Sequence, residues 1–220
     1  MSVAGLLFDA AVDLYLGGQC HGCAAPGRSP CPACSQGLEP HPQSIWRPGF
    51  DVPAVAALAY DDADDFIIAY KDNQAWQLTA PLGVALGAAV AQVASGSSVV
   101  LVPVPSSPDA VRKRGFDHTA TLAQWVARRS GYRWSPLLRR TKTTPDQAGL
   151  TAASRRAVQI GSMRARPPSP GRPSPPLVVV DDVITTGATM VEAVRALREA
   201  GHHVFGAAAV AFTPRGRRSA

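Results

Sequence analysis

Two neighbouring acids and a run of small hydroxyl residues carry the densest chemistry in the sequence. Asp181 and Asp182 follow four apolar residues, Leu177 to Val180, and precede Val183-Ile184 and then Thr185-Thr186-Gly187-Ala188-Thr189. Adjacent carboxylates repel unless something occupies them. Ribose hydroxyls, with or without a magnesium ion, meet that need, since carboxylates accept from hydroxyls and hard cations take oxygen ligands. The hydroxyl-rich stretch suits a phosphate. Backbone N–H groups of a turn entering a helix point outward, the macrodipole favours an anion, the threonines add donors, and Gly187 lets the backbone approach closely. The competing reading is a buried strand, an acidic turn and a Thr-capped helix with no ligand. Strand, acid pair, loop and helix agree at every position, which favours the ligand site.

Cations that suit a more highly charged group stand elsewhere. Arg112, Lys113 and Arg114 come soon after Pro103-Val104-Pro105-Ser106-Ser107. Three positive charges beside a strand-end turn fit a pyrophosphate, although a basic loop in solvent has the same composition. Residues 139–156, RRTKTTPDQAGLTAASRR, are polar and Thr-rich and read as a lid that closes over substrate and excludes water. All four cysteines form Cys20-x2-Cys23-x7-Cys31-x2-Cys34. Two C-x2-C knuckles read as one tetrahedral four-thiolate zinc site, with disulfides as the alternative that a reducing compartment disfavours. Its role is expected to be structural, because a closed shell leaves no open position. His21, inside the first knuckle, could ligate, but four thiolates already complete the shell.

These groups require an α/β frame to hold them. Leu177–Val180 lacks polar alternation, as a strand buried on both faces of a parallel sheet does, and ligands bind at the carboxyl ends of such strands. Met190, Val194 and Leu197 mark an amphipathic helix behind the Thr loop. Further strands are predicted over Val52–Tyr60, Val99–Val102 and Val204–Phe212. Helices are predicted near Ala75–Ala94 and Thr119–Arg129, and one begins in the acids Asp61, Asp62, Asp64 and Asp65 and ends at Lys71, as a helix dipole prefers. Val3, Leu6, Leu7, Ala10 and Leu14 form a short amphipathic helix, and the connector 167–176 holds six prolines in ten residues.

At 220 residues the chain can bury one sizeable core with a small appended module. We place the zinc module in residues 1–50, the main domain in 51–214 and a basic tail in 215–220. Residues 1–72 hold three Arg/Lys against nine Asp/Glu, net −6, and the remainder holds nineteen against seven, net +12, so the later part is the anion-binding part. No run of about eighteen apolar residues is evident, so no membrane span is expected. Asp9 and Asp13 interrupt the N-terminal apolar stretch, which argues against a secretory signal and makes the cytoplasm the default location.

The strand, acid pair and T-T-G-x-T loop resemble the 5-phosphoribosyl 1-pyrophosphate (PRPP) signature of type I phosphoribosyltransferases. The order of motifs is similar to the ComF family, competence-associated proteins with such a domain: the two C-x2-C knuckles, Tyr70-Lys71, VPVP leading to Arg114-Gly115-Phe116, Arg140-Thr141-Lys142, Gln147-x-Gly149-Leu150, Arg155-Arg156 and DDVITTGAT. The chain departs from that family at Asp117-His118, at Val158 and at Gly161-Ser162-Met163. The resemblance implies a parallel sheet flanked by helices, with a small N-terminal zinc module. PRPP would lie with its 5-phosphate on Thr185, Thr186, Gly187, Ala188 and Thr189 and its ribose on Asp181 and Asp182. Its Mg2+-pyrophosphate would lie near Ser106, Arg112, Lys113, Arg114 and Lys71. Arg140 and Lys142 in the lid would stabilise charge on the leaving group, while His118 reads as a loop histidine. A second function is compatible with the same sequence: an accessory protein that binds single-stranded DNA or a helicase during DNA uptake. Stacking platforms for a single strand are sparse, at 6% aromatic residues with Trp46, Trp76, Trp125 and Trp134 scattered.

Overall fold

The computed structural model describes residues 18–141, 161–169, 171 and 174–214. The expected N-terminal helix, Lys142, most of the 139–156 segment and the basic tail lie outside the described residues, as does part of the proline-rich connector.

Apolar runs without polar alternation become the middle of a six-stranded sheet. β1 (Gln43–Ser44), β2 (Ala54–Ala59), β3 (Val100–Pro103), β4 (Arg133–Trp134), β7 (Leu177–Ile184) and β8 (Val204–Phe212) lie in the order β1-β2-β8-β7-β3-β4. Every pairing is parallel except that of the edge strand β1 with β2. A two-stranded antiparallel pair, β5 (Leu138–Arg140) with β6 (Met163–Ala165), stands apart and brackets the segment 141–162.

Helices cover both faces, as the parallel strands of this sheet require. Val178 and Val180 point into a core shared with α2 (Asp64–Asp72), α3 (Thr79–Ala94) and α5 (His118–Ser130). Leu177 and Val179 point the other way, into a core shared with α6 (Ala188–Glu199) and the β5-β6 pair. In α3, Leu82, Ala85, Leu86, Ala89, Val90 and Val93 are all buried, following helical spacing. The strand beneath is alanine-rich, and Gly206 is required by close approach: a Cβ there would meet Val93 Cγ1 at 2.5 Å and the Pro53 carbonyl oxygen at 2.9 Å.

One core helix stands out for its apolar length. Trp76–Ala94, 19 residues, is long and apolar enough to cross a membrane by length and composition. Here it lies against the sheet, with half of its most apolar window buried. A helix that is apolar on most sides is what a core position demands.

Two expectations change. β7 does not end before the acids; it continues through Asp181 and Asp182 to Ile184, in register with β8. Arg112, Lys113 and Arg114 do not sit in a loop but form the last turn of a short helix, α4 (Pro108–Arg114). Ser107 caps it by accepting from Ala110 N at 3.1 Å, and Gly115 ends it at φ +80°.

The cysteine segment, with its short helix α1 (Pro32–Gly37), packs directly on α2. Cys20 and Leu38 join the core around Phe66, and a Cβ on Gly22 would lie 2.6 Å from the Phe66 ring.

Candidate active site and metal centre

β3 and β7 pair as far as Pro103 and Val180, and Val104 N then donates to the Val180 carbonyl at 2.9 Å. That register brings Pro105 and Ser106 beside the acid pair. A cleft of about 260 Å³ opens there, with Asp181, Asp182, Lys71, Ser106, Arg114, His118, Arg140, Thr185 and Thr189 among its walls. It lies at the carboxyl ends of the parallel strands, where open α/β sheets bind ligands.

The two acids differ in state. Burial raises the pKa of Asp181, and the charge of Asp182 raises it further, so Asp181 holds its proton well above the usual carboxylate range. Burial also acts on Asp182, but the His118 hydrogen bond and the Lys71 charge outweigh it and hold that carboxyl below its ordinary value. Lys71 Nζ and His118 Nε2 each lie 2.6 Å from Asp182 Oδ2. Lys71 reaches it from the last turn of α2.

His118 is a finding of the structure. The sequence reading makes it a loop residue, whereas it is the first residue of α5 and 7% exposed. Its Nδ1 lies 3.2 Å from Ser106 Oγ. The neighbouring Asp117 caps α5, accepting from Ala120 N at 3.2 Å, and also accepts from Ser106 N and Oγ, each at 3.2 Å. An acid at that position is therefore tied into the local backbone.

The expected cations divide. Arg140 Nε donates to the Pro105 carbonyl at 2.9 Å, which holds the guanidinium at the cleft from the end of β5. Arg114 also lines the cleft and pairs with Asp72 at 3.1 Å. Arg112 pairs with Asp109 and is 73% exposed, and Lys113 is exposed; neither is among the residues lining the cleft. Successive helical residues point about 100° apart, and of the three cations on α4 Arg114 is the one that lines the cleft.

Thr185 and Thr189 line the cleft, and Thr186 is exposed, with its Oγ1 accepting from Ala188 N at 3.4 Å. Gly187 is the N-cap of α6 at φ +82° and has no side chain to cap it, so apart from the Ala188 N–H that Thr186 Oγ1 accepts, the helix start still offers backbone N–H donors to an anion. A Cβ on Gly187 would meet Phe50 Cε1 at 2.6 Å and Arg47 Cβ at 2.9 Å, so the loop rests on the 47–50 segment.

Arg47 escapes the sequence reading because its partners are distant, and Glu192 because its burial and its bond to Met163, 29 residues away, appear only in the fold. Arg47, 7% exposed, donates from Nε to the Thr185 carbonyl at 2.7 Å and from an Nη2 to the Thr213 carbonyl at 2.5 Å. Glu192, 2% exposed on α6, accepts from Met163 N at 2.8 Å and pairs with Arg195 at 2.6 Å, fastening β6 to α6. Both are charged residues in buried positions, where a charge must be paired or hydrogen-bonded to be tolerated.

The four cysteines meet in space. Their Sγ atoms all lie within 4.8 Å of one another, with Cys23 and Cys31 at 3.7 Å. Sulfurs on a tetrahedral zinc at about 2.3 Å are about 3.8 Å apart, so the cluster has the size of a zinc shell, whereas a disulfide needs about 2.05 Å. Cys31 N and Cys34 N point at the sulfurs of Cys20 and Cys31, at 3.4 and 3.5 Å. Despite burial, such N–H donors bring the Cys20 thiol down to about 6, while contacts with the Cys23 and Cys31 sulfurs push Cys34 up to about 12. His21 is engaged away from the cluster, its Nδ1 lying 2.8 Å from Ser29 Oγ.

Residues 141–219 match the family model of the phosphoribosyl transferase domain. The match spans β6, β7, α6 and β8, and so includes both acids and the whole Thr loop. It supports a phosphoribosyltransferase-type family for this chain, in keeping with the mostly parallel sheet and the site at its carboxyl edge. No curated protein matches the chain.

Proposed function

We propose that the cleft binds PRPP, or the ribose 5-phosphate part of it, together with Mg2+, and that the protein transfers the phosphoribosyl group. The observation that carries this is a single continuous surface: a buried acid pair at the end of β7 with Lys71 in contact with Asp182, the start of α6 immediately after it, and Arg114 and Arg140 lining the same cleft. The 5-phosphate would sit on Thr185–Thr189. The ribose hydroxyls would meet the carboxyl oxygens of Asp181 and Asp182.

The pyrophosphate falls to the cationic side. As the C–O bond breaks, its electron pair would leave on the pyrophosphate oxygen while an acceptor nucleophile bonds to the glycosidic carbon; Arg140, Arg114 and Lys71 would stabilise the charge on that oxygen, so catalysis is chiefly positioning and preorganised charge. Ser106 and His118 hold the turn on which that side is built. Asp181 and Asp182 offer the oxygen donors that Mg2+ takes, and the ion would neutralise charge on the leaving group when bound.

The cysteine cluster is proposed to hold a structural Zn2+. The ComF-like order of motifs supports a cytoplasmic role associated with competence and DNA uptake. A structure soaked with ribose 5-phosphate tests the ligand assignment: density for the phosphate on Thr185–Thr189 and for hydroxyls on Asp181 and Asp182 is expected, and phosphate bound elsewhere would refute it.

A further inference from the structure

Arg47 lies outside the matched domain segment, on the chain between β1 and β2, yet its side chain ends under the phosphate loop. Three carbonyls receive it: Thr185 at 2.7 Å, Thr213 at 2.5 Å and Trp46 at 3.0 Å. Thr185 begins the loop and lines the cleft, and Thr213 follows β8, its own N–H donating to Ile184 at 3.0 Å. Arg47 therefore ties the end of β7 to the end of β8 at the point where β7 turns into the loop.

The peptide between Thr185 and Thr186 is planar, and in its trans form the carbonyl and the N–H point in opposite directions. Fixing the Thr185 carbonyl on the guanidinium aims the Thr186 N–H away from it. The Phe50 ring and Arg47 Cβ press on Gly187 from the same segment, leaving no room for a side chain there. The guanidinium is 7% exposed, so its hydrogen bonds to these carbonyls are made away from solvent.

Resting on the phosphoribosyl reading above, we propose that Arg47 is a positioning residue for a phosphomonoester. It orients the Thr185–Thr186 peptide toward the anion without touching the ligand. A residue that only stabilised the fold would have no such local effect.

The test uses full-length zinc-loaded wild type, Arg47→Met and Arg47→Lys. Each is titrated with ribose 5-phosphate, and the backbone amide resonances are followed. Arg47→Met is expected to bind at least about tenfold more weakly, the loss expected for one charge-assisted hydrogen bond. In the ligand-free variant the Thr186, Gly187 and Ala188 amides should shift, while those of Asp182 and His118 stay in place. Arg47→Lys, which keeps the charge but not the fork, should fall between the two, and it carries the test alone if Arg47→Met does not fold. Unchanged affinity, or shifts as large at Asp182 and His118 as in the loop, would overturn the role of Arg47. A wild type that does not bind ribose 5-phosphate would overturn the phosphoribosyl reading itself, a separate outcome.

Discussion

Replacing Glu192 by alanine removes the tie between α6 and the strand that returns to it from the 141–162 segment. The side chain is 2% exposed, and its carboxylate is held by Arg195 through Nε at 2.6 Å and Nη2 at 2.8 Å and by Met163 N at 2.8 Å. Truncation leaves the Met163 N–H without its acceptor, while Arg195 retains Glu199. Breaking a buried pair in this way costs about 3 kcal/mol. For a chain of this size that is roughly a 6–12 °C fall in melting temperature. Glu192→Gln keeps an acceptor for Met163 N and should lose about half as much.

The two substitutions also separate charge from shape through pH. Burial opposes ionisation of Glu192, but the Arg195 hydrogen bond and the Met163 N–H outweigh it and hold the carboxyl below its ordinary value. A carboxyl with a depressed folded pKa adds stability in full above its unfolded value of about 4.3, and that stability is lost as pH falls through the folded value. The gap between wild type and Glu192→Gln should therefore be constant above about pH 5 and close as pH drops below about 4. Differential scanning fluorimetry from pH 3 to 8 measures it. Equal melting temperatures at pH 7, or a gap that does not change with pH, would refute the role assigned to this carboxylate.

Metal analysis of protein prepared without added metal should find one zinc per chain, and Cys20→Ser should lower both zinc content and melting temperature, because Cys20 also packs in the core with Phe66. Gly187→Ala combines a left-handed backbone at φ +82° with a 2.6 Å approach to Phe50; it should cost about 2 kcal/mol or more in chemical denaturation, and a smaller effect would mean the loop is free to move. Lys71→Met strips the cation from Asp182 and from the leaving-group side, and a pyrophosphate titration should show binding weaker by about tenfold, equivalent to about 1.4 kcal/mol; unchanged binding would remove Lys71 from the site.

The frame of the site was legible because it is local. Leu177–Val180 without polar alternation marked a buried parallel strand, Val204–Phe212 is the observed β8 to the residue, and the acid pair with its Thr loop stands where the pattern placed it. Asp64 and Asp65 do open a helix that closes on Lys71, as the dipole argument required. What could not be read depends on partners far along the chain. Arg47 meets Thr185 across 138 residues, and His118 meets Asp182 only because α5 starts beside the end of β7. Arg112 and Lys113 misled for the opposite reason: adjacency in sequence became divergence on the surface of a helix, and only Arg114 turns to the cleft.

The account rests on a phosphoribosyl ligand held by the acid pair of β7. Isothermal titration of the zinc-loaded protein with PRPP and Mg2+, in parallel with Asp181→Asn/Asp182→Asn, tests it most directly. Saturable binding by the wild type, weakened at least about tenfold in the double variant, is the expected result. No heat at millimolar PRPP, or the same affinity in both proteins, would contradict it.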